Sequence, residues 1–204
     1  MAVFLLVRHA DNNLVGVKLA GRMPDVHLND VGRVQAQQLA EKLSLYPLKS
    51  VISSPLERTR ETAEPIACLR GLQVDIFPEL TEIDFGEWEG KSLKQLKRDP
   101  LWSLVQNKPG DFRFPGGESN EEAQNRIVGT LSRQAEKFKE KDLVVCVSHG
   151  DMIRLAVAHY LGMPINNFQR LRINTASITV MYLQGRKALF GAINHTLDSR
   201  KSLI

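Results

Sequence analysis

The sequence predicts an α/β fold, a three-layer α/β/α sandwich built on a mostly parallel sheet with an antiparallel edge strand. Three observations carry that expectation. First, two apolar runs, residues 2–7 (AVFLLV) and 143–147 (LVVCV), are too short to span a membrane and too uniform for half-exposed strands. They suit strands buried on both faces, the pattern of central strands in a parallel sheet. Second, strand-like and helix-like segments alternate along most of the chain, which puts helices on both faces of one sheet. Third, two alternating segments near the end, 177–183 and 188–193, flank Gly185-Arg186 and read as a hairpin, giving the sheet its antiparallel edge. A chain of 204 residues without repeat, linker or low-complexity stretch reads as a single domain over residues 1–204 with a substantial core.

The elements follow in order. The first strand stops abruptly at Arg8-His9, and residues 11–29 are turn-rich, with Gly21, Pro24 and Asp25. Asn29 or Asp30 caps a helix carrying Val31, Val34, Leu39 and Leu43 at helical spacing, ending before Pro47. Residues 48–53 form a second buried strand, and Pro55 lies at the start of a helix running to about Arg70. A short third strand at 74–77 leads to a loop holding Glu82, Asp84, Glu87 and Glu89, then a helical region over 93–105 and a loop over 114–119. Lys91, Lys94, Lys97 and Arg98 sit at roughly helical spacing and read as a solvated face. Ser119 with Glu122 resembles a capping box opening a helix to about Lys141. The strand at 143–147 ends in Ser148-His149-Gly150, and a helix follows over 151–161.

The 27 basic and 23 acidic residues give a formal charge of +4, and no Lys/Arg run is dense enough for a nucleic-acid surface. Cys68 and Cys146 lack ligand spacing and read as small apolar residues of a reduced protein. With no signal-peptide pattern and no segment of membrane length, the expectation is a cytoplasmic enzyme or binding protein, monomeric or a small oligomer. The closing hairpin leaves an edge that could pair in a homodimer.

The chemistry-bearing residues fall at strand ends. If the two apolar strands are parallel neighbours, His9 and His149 both project into the crevice at the carboxyl edge of the sheet, where open α/β sheets bind ligands. A lone histidine there is ordinarily structural; two in matched positions beside arginines point to a site. Arg8 adjoins His9, and Arg58 lies in the first turns of the helix after the second strand. Guanidinium groups stay charged and grip phosphate oxygens bidentately, and a helix N-terminus adds backbone donors. Arg60 is assigned instead to exposed ion pairs with Glu57, Glu61 or Glu64. Metal coordination is disfavoured, since there is no His-x-His, no His-Glu-x-x-His and no aspartate cluster, and the arginines would repel a cation. A Gly-x-Ser-x-Gly elbow, a phosphate loop and a dinucleotide fingerprint are also missing. A histidine nucleophile toward phosphorus, caged by Arg8, Arg58 and His149, is the most economical reading. Phosphoryl transfer also needs a proton for the leaving oxygen, and Glu82, Asp84, Glu87 and Glu89 remain equally open for that task.

Taken together, these motifs resemble the histidine phosphatase superfamily, also called the phosphoglycerate mutase-like family, along nearly the whole chain. The family's Arg-His-Gly matches Arg8-His9-Ala10, which implies that His9 is the phosphorylated nucleophile and Arg8 a phosphate clamp. Its Ser-x-x-x-Arg-x-x-x-Thr-Ala segment matches residues 54–63 and implies a second clamp at Arg58. Its Glu-x-x-x-Gly-x-x-Glu-Gly turn matches residues 82–90 and selects Glu82 as proton donor and then base. Ser148-His149-Gly150 matches its Ser-His-Gly, so His149 and Gly150 are expected at the phosphoryl group. Gly21-Arg22 stands where the family's substrate-facing loop lies, which makes Gly21 and Arg22 further anion contacts. Alanine at position 10 departs from the family glycine and costs about 1 kcal/mol only if the backbone there is left-handed. The family's asparagine a few residues further on has no counterpart in register, since Asn12 and Asn13 are displaced from it. The resemblance implies a phosphoglycerate mutase-like fold and hydrolysis of a small phosphorylated metabolite, with no cofactor or metal and neither nucleic acid nor membrane as partner. The alternatives are a cofactor-dependent phosphomutase and an inactive phospho-ligand-binding domain. The short segment over 90–112 and the loop Phe114-Pro115-Gly116-Gly117-Glu118-Ser119 resemble the phosphatase branches.

Overall fold

The computed structural model describes residues 1–197. One six-stranded sheet has the order β3-β2-β4-β1-β5-β6. Its strands are β1 (Ala2–Arg8), β2 (Leu48–Ser53), β3 (Val74–Ile76), β4 (Leu143–Ser148), β5 (Ile178–Gln184) and β6 (Lys187–His195). The first four run parallel, and the β5–β6 hairpin joins antiparallel to β1, so the expected mixed sheet is present with its antiparallel side at the end of the chain. The two apolar runs are the centre of this sheet: β1 pairs with β4 in a register that sets Val7 beside Val147 and Arg8 beside Ser148.

Residues along β1 alternate between two cores. Val3, Leu5 and Val7 face one cluster with Val145, Val147 and residues of α1 (Asp30–Ser44) and α2 (Glu57–Leu69). Ala2, Phe4 and Leu6 face the other, with residues of α5 (Asn120–Ala135) and α6 (Gly150–Tyr160). Burial on both faces is why the strand reads as a continuous apolar run rather than an alternating one. Each such side chain contributes roughly 1.5–3 kcal/mol of transfer free energy.

Several expectations need correction in detail. In α1 the buried stripe is Ala36, Leu39, Ala40 and Leu43, while Val31 and Val34 are each 58% exposed. The helix packs through this alanine- and leucine-bearing stripe and lies against α2, leaving both valines on its outer side. The helical region after residue 93 is two short helices, α3 (Leu93–Leu96) and α4 (Trp102–Asn107), because Pro100 disfavours helical backbone at Asp99. Helix α5 stops at Ala135, well short of Lys141, whose φ of +70° belongs to the turn feeding β4. Helix α2 begins at Glu57, two residues past Pro55. Cys146 is buried in β4 as expected, whereas Cys68 is exposed; both are free thiols. Among the described residues no helix is long and apolar enough to cross a membrane.

Candidate active site

The parallel pairing of β1 and β4 brings both strand-end histidines together. The His9 N–H donates to the Ser148 carbonyl at 2.9 Å, and the His9 and His149 ring centroids are 5.4 Å apart. Beside them opens a cleft of about 390 Å³ whose lining includes Arg8, His9, Arg58, Glu82, Gly21 and Gly150. It lies at the carboxyl ends of the parallel strands, and α6 begins at Gly150 on its wall, so the helix N-terminus offers a partial positive charge to an anion.

His9 is buried at 5% exposure, and its Nδ1 lies 2.8 Å from the Ala10 carbonyl. A carbonyl only accepts, so Nδ1 carries the proton and Nε2 holds the lone pair of a neutral ring. Burial, reinforced by the Arg58 and Arg8 charges, holds the imidazole pKa well below its usual 6.5. Ala10 is wholly buried, its N–H donates to Thr62 Oγ1 at 3.0 Å, and its φ is not positive, so alanine is unstrained where the family has glycine. Thr62 in turn donates to the Arg58 carbonyl at 2.7 Å, tying α2 to the turn that aims His9.

Arg58 is 1% exposed, and its Nη2 donates to the Gly21 carbonyl at 2.6 Å. Gly21 sits at φ +51° with the Glu89 side chain where a Cβ would point, so this carbonyl is presented by a conformation that suits glycine. Arg8 Nη1 donates to the Ile173 carbonyl at 2.7 Å, and its Nε is so close to Gly150 that a Cβ there would sit 3.2 Å away. Arg8 Nε and Arg58 Nη1 are buried N–H groups without a protein partner. Donors of that kind on two fixed cations suit a dianionic phosphoryl group.

Of the four acids left open by the sequence, Glu82 is the one that lines the cleft. It is 9% exposed, its Oε1 accepts from the Ile83 N–H at 3.1 Å, and its pKa is raised to about 7. Burial is the main cause and the Asp151 carboxylate the second, outweighing the opposite pull of Arg58 and Arg8. Asp84, by contrast, is paired with Arg22, and Glu89 accepts from the Arg22 N–H at 2.8 Å.

Two expected anion contacts are placed differently. His149 is fully buried, and both of its ring nitrogens have protein partners. Arg58 Nη2, which only donates, lies 3.3 Å from Nδ1, so Nε2 carries the proton and gives it to Ser54 Oγ at 2.8 Å. His149 thus braces Arg58 and lies next to His9, just outside the residues that line the cleft. Arg22 is likewise engaged: its Nε donates to the Glu82 carbonyl at 3.0 Å, and its two terminal nitrogens reach Asp84 at 3.2 Å and Glu118 at 3.0 Å. Its charge is balanced within the turn that carries Glu82, which it supports. Arg60 pairs with Glu64 at 3.5 Å on the surface, as expected.

Asn12, read from the sequence as displaced from the family's asparagine, lines the cleft at 4% exposure, and its Oδ1 accepts from the Leu14 N–H at 2.9 Å. The cleft also contains two residues that sequence reasoning passed over. Asp151 and Arg154, paired at 2.7 Å, line it from the first turns of α6. Their available signal is position, two and five residues after His149 on a helix starting at the site. Among the described residues no group of three or more His, Cys, Asp or Glu is placed to hold a metal ion.

The comparisons with known proteins agree with this geometry. A family model, histidine phosphatase superfamily (branch 1), matches residues 4–196. Phosphoserine phosphatase 1 of Hydrogenobacter thermophilus is 31% identical over 206 residues, covering 96% of this chain and 93% of that protein. A protein of Cronobacter sakazakii named "Probable phosphoglycerate mutase GpmB" is 33% identical over 177 residues, covering 85% and 81%. Among solved structures, a mycobacterial glucosyl-3-phosphoglycerate phosphatase superposes with a TM-score of 0.86 at 25% identity, covering 95% of this chain and 99% of that one. A phosphoserine phosphatase from Entamoeba histolytica, in complex with 3-phosphoglyceric acid, gives 0.84 at 26% identity, covering 96% and 98%. The chain that sets His9 in an arginine-lined cleft, with His149 beside it, belongs to branch 1 of the histidine phosphatase superfamily.

Proposed function

We propose that the protein, acting as one domain, hydrolyses small phosphomonoesters through a phosphohistidine on His9, with Glu82 as general acid and then general base. The observation that best supports this is the state of His9. It is a neutral ring whose Nδ1 proton is committed to Ala10, leaving the Nε2 lone pair beside unpartnered N–H groups of Arg8 and Arg58. In the first half-reaction Nε2 gives its pair to phosphorus, the ester P–O bond breaks, and the leaving oxygen takes the Glu82 proton. In the second, water attacks phosphorus and its proton passes to the Glu82 carboxylate. The P–N bonding pair then returns to Nε2 as phosphate departs. A carboxyl titrating at about 7 supplies both of its forms near neutral pH. Arg8, Arg58 and the α6 terminus at Gly150 offset the charge on the transferring group; His149 and Gly21 hold Arg58 in place. The scheme uses no cofactor.

Hydrolysis is favoured over mutase chemistry by the segment after the acid turn. Lys91, Lys94, Lys97 and Arg98 are exposed and do not line the cleft, so they supply no cations to retain a bisphosphate during turnover. Radiolabel from a phosphomonoester should appear on the wild-type chain, and His9→Ala should lose both the label and at least about a thousandfold in kcat/KM. An active His9→Ala variant would refute the assignment. Isomerisation of 3-phosphoglycerate with 2,3-bisphosphoglycerate, alongside negligible hydrolysis of p-nitrophenyl phosphate, would instead keep the phosphohistidine and replace hydrolase with mutase. Glu82→Gln should cost about a hundredfold or more on alkyl phosphates, whose alkoxides need the proton, and far less on p-nitrophenyl phosphate. Equal losses on both esters would move the acid role to another residue.

A further inference from the structure

A second cavity, of about 320 Å³, shares Leu19, Phe85, Leu93, Asp151 and Arg154 with the catalytic cleft and so lies directly beside it. Beyond those shared walls it is bounded by Trp88, Trp102, Val105 and Phe114. Its aromatic side is already assembled. Trp88 stacks on Trp102 with centroids 6.3 Å apart and meets Phe114 edge-on at 5.6 Å, while Phe85 packs edge-on against Phe114 at 4.8 Å. Such a wall is held by its own contacts and needs little reordering to receive a ligand.

The polar groups on this chamber are mostly committed. Gln169 Nε2 donates to the Val105 carbonyl at 3.3 Å, and Asp151 and Arg154 pair at 2.7 Å. Arg154 keeps an unpartnered Nε–H, but its charge is balanced by Asp151. Within this chamber, whose lining excludes the cleft's Lys18, a carboxylate carried by the leaving group would therefore shed water to meet Asp151 and an Arg154 already paired, which is unfavourable. An apolar group would displace poorly held water from aromatic walls, which is favourable.

We infer that this chamber receives the leaving group, and that the preferred substrates are phosphomonoesters of apolar, ring- or alkyl-bearing alcohols, not of small amino or hydroxy acids. The inference rests on the phosphatase reading and adds the substrate class. Phosphate sits among Arg8, His9 and Arg58, and the ester oxygen faces Glu82. From there the carbon skeleton runs past Leu19 and Leu93 toward Trp102, with its polar substituents directed to Gln106 at the rim.

The test uses three esters with unactivated leaving groups: ethyl phosphate, 2-phenylethyl phosphate and O-phosphoserine. kcat/KM should rise at least about tenfold from ethyl to 2-phenylethyl phosphate, the scale on which apolar pockets discriminate, with O-phosphoserine at or below ethyl phosphate. Trp102→Ala should shrink the 2-phenylethyl-to-ethyl ratio, mainly through KM, and Trp102→Phe should restore most of it. Gln106→Leu, on the exposed rim, should widen the ratio, which supplies a reading of opposite sign if Trp102→Ala folds poorly. Turnover of all three esters with a flat ratio, or with O-phosphoserine the best of them, overturns this inference and leaves the phosphatase reading standing. No turnover of any ester overturns both.

Discussion

Glu82 is a carboxyl balanced between burial and one acidic neighbour on one side and two arginines on the other. Burial first, and Asp151 second, favour its proton; Arg58 and Arg8 oppose them. Replacing Asp151 with asparagine removes the repulsive charge and frees Arg154 from its pair, and both changes lower the Glu82 pKa. Because transfer to His9 needs Glu82 protonated, the alkaline limb of kcat/KM against pH should move to lower pH in Asp151→Asn. A limb that stays put or moves up would show that burial alone sets the Glu82 proton. Residue identity was legible to different depths here. Arg8 and His9 stood out from the sequence because a cation and an imidazole end an apolar run, and Arg58 because it opens the helix after the second strand. Glu82 was separable from Asp84, Glu87 and Glu89 only through resemblance, since what distinguishes it is burial. Asp151 was invisible, because an acid in a first helical turn reads as an ordinary dipole partner. His149 was found by its strand-end position, whereas the partners of its two nitrogens, Ser54 and Arg58, are not legible from strand register.

At the scale of elements, the feature that sets the acid in place is a clamp on the turn carrying Glu82. Arg22 and Arg126 both donate to the Glu82 carbonyl, both pair with Glu118, and Arg126 also holds the Glu79 and Thr81 carbonyls at 2.7 Å each. Glu118 precedes α5 and Arg126 lies two turns into it, so the capped start of that helix is what the turn is tied to. Arg126→Leu should destabilise the fold by roughly 2–3 kcal/mol, toward the low end for losing one side of a largely buried ion pair because Glu118 keeps Arg22. It should also lower kcat more than it raises KM, since Arg126 does not line the cleft and acts only by holding Glu82. A normal kcat with a lowered Tm would show that the clamp stabilises without positioning. None of this clamp was read from the sequence, where Arg22 was assigned to substrate. A loop arginine before a catalytic turn has the same local signature whether it faces a ligand or a carboxylate 96 positions away. Strands and their order of burial were legible, because β1 and β4 must be apolar on both faces. Helix faces were less so: α1 buries alanines, and the eye follows Val31 and Val34 instead.

For the molecule as a whole, holding a carboxylic acid in a buried site has a cost that depends on pH. The Glu82 pKa rises from 4.5 to about 7 on folding. Below pH 4.5 the group is protonated in both states and costs nothing. Between those values the unfolded chain is ionised while the fold keeps the proton, so stability falls as pH rises; above about 7 the full cost, roughly 3 kcal/mol, applies. Buried His9 and His149 act in the opposite sense. Their pKa values are depressed by burial and by Arg58, so the stability of their neutral forms is lost as pH falls below 6.5. In the wild-type protein the two trends oppose one another across mildly acidic pH, and removing the carboxyl separates them. Glu82→Gln, which keeps the side chain's size, should melt about 6–10 °C above wild type at pH 8, with the gain vanishing near pH 4. Its stability should climb from pH 5 to 7, on the trend of the two buried histidines, against the smaller opposite pull of exposed His27 beside Glu61. The measurement is a set of thermal melts of both proteins across that range. A gain of equal size at pH 4 and pH 8 would trace the effect to packing and not to charge. No gain at pH 8 would mean that the fold does not hold the Glu82 proton, and the general-acid assignment would lose its physical basis.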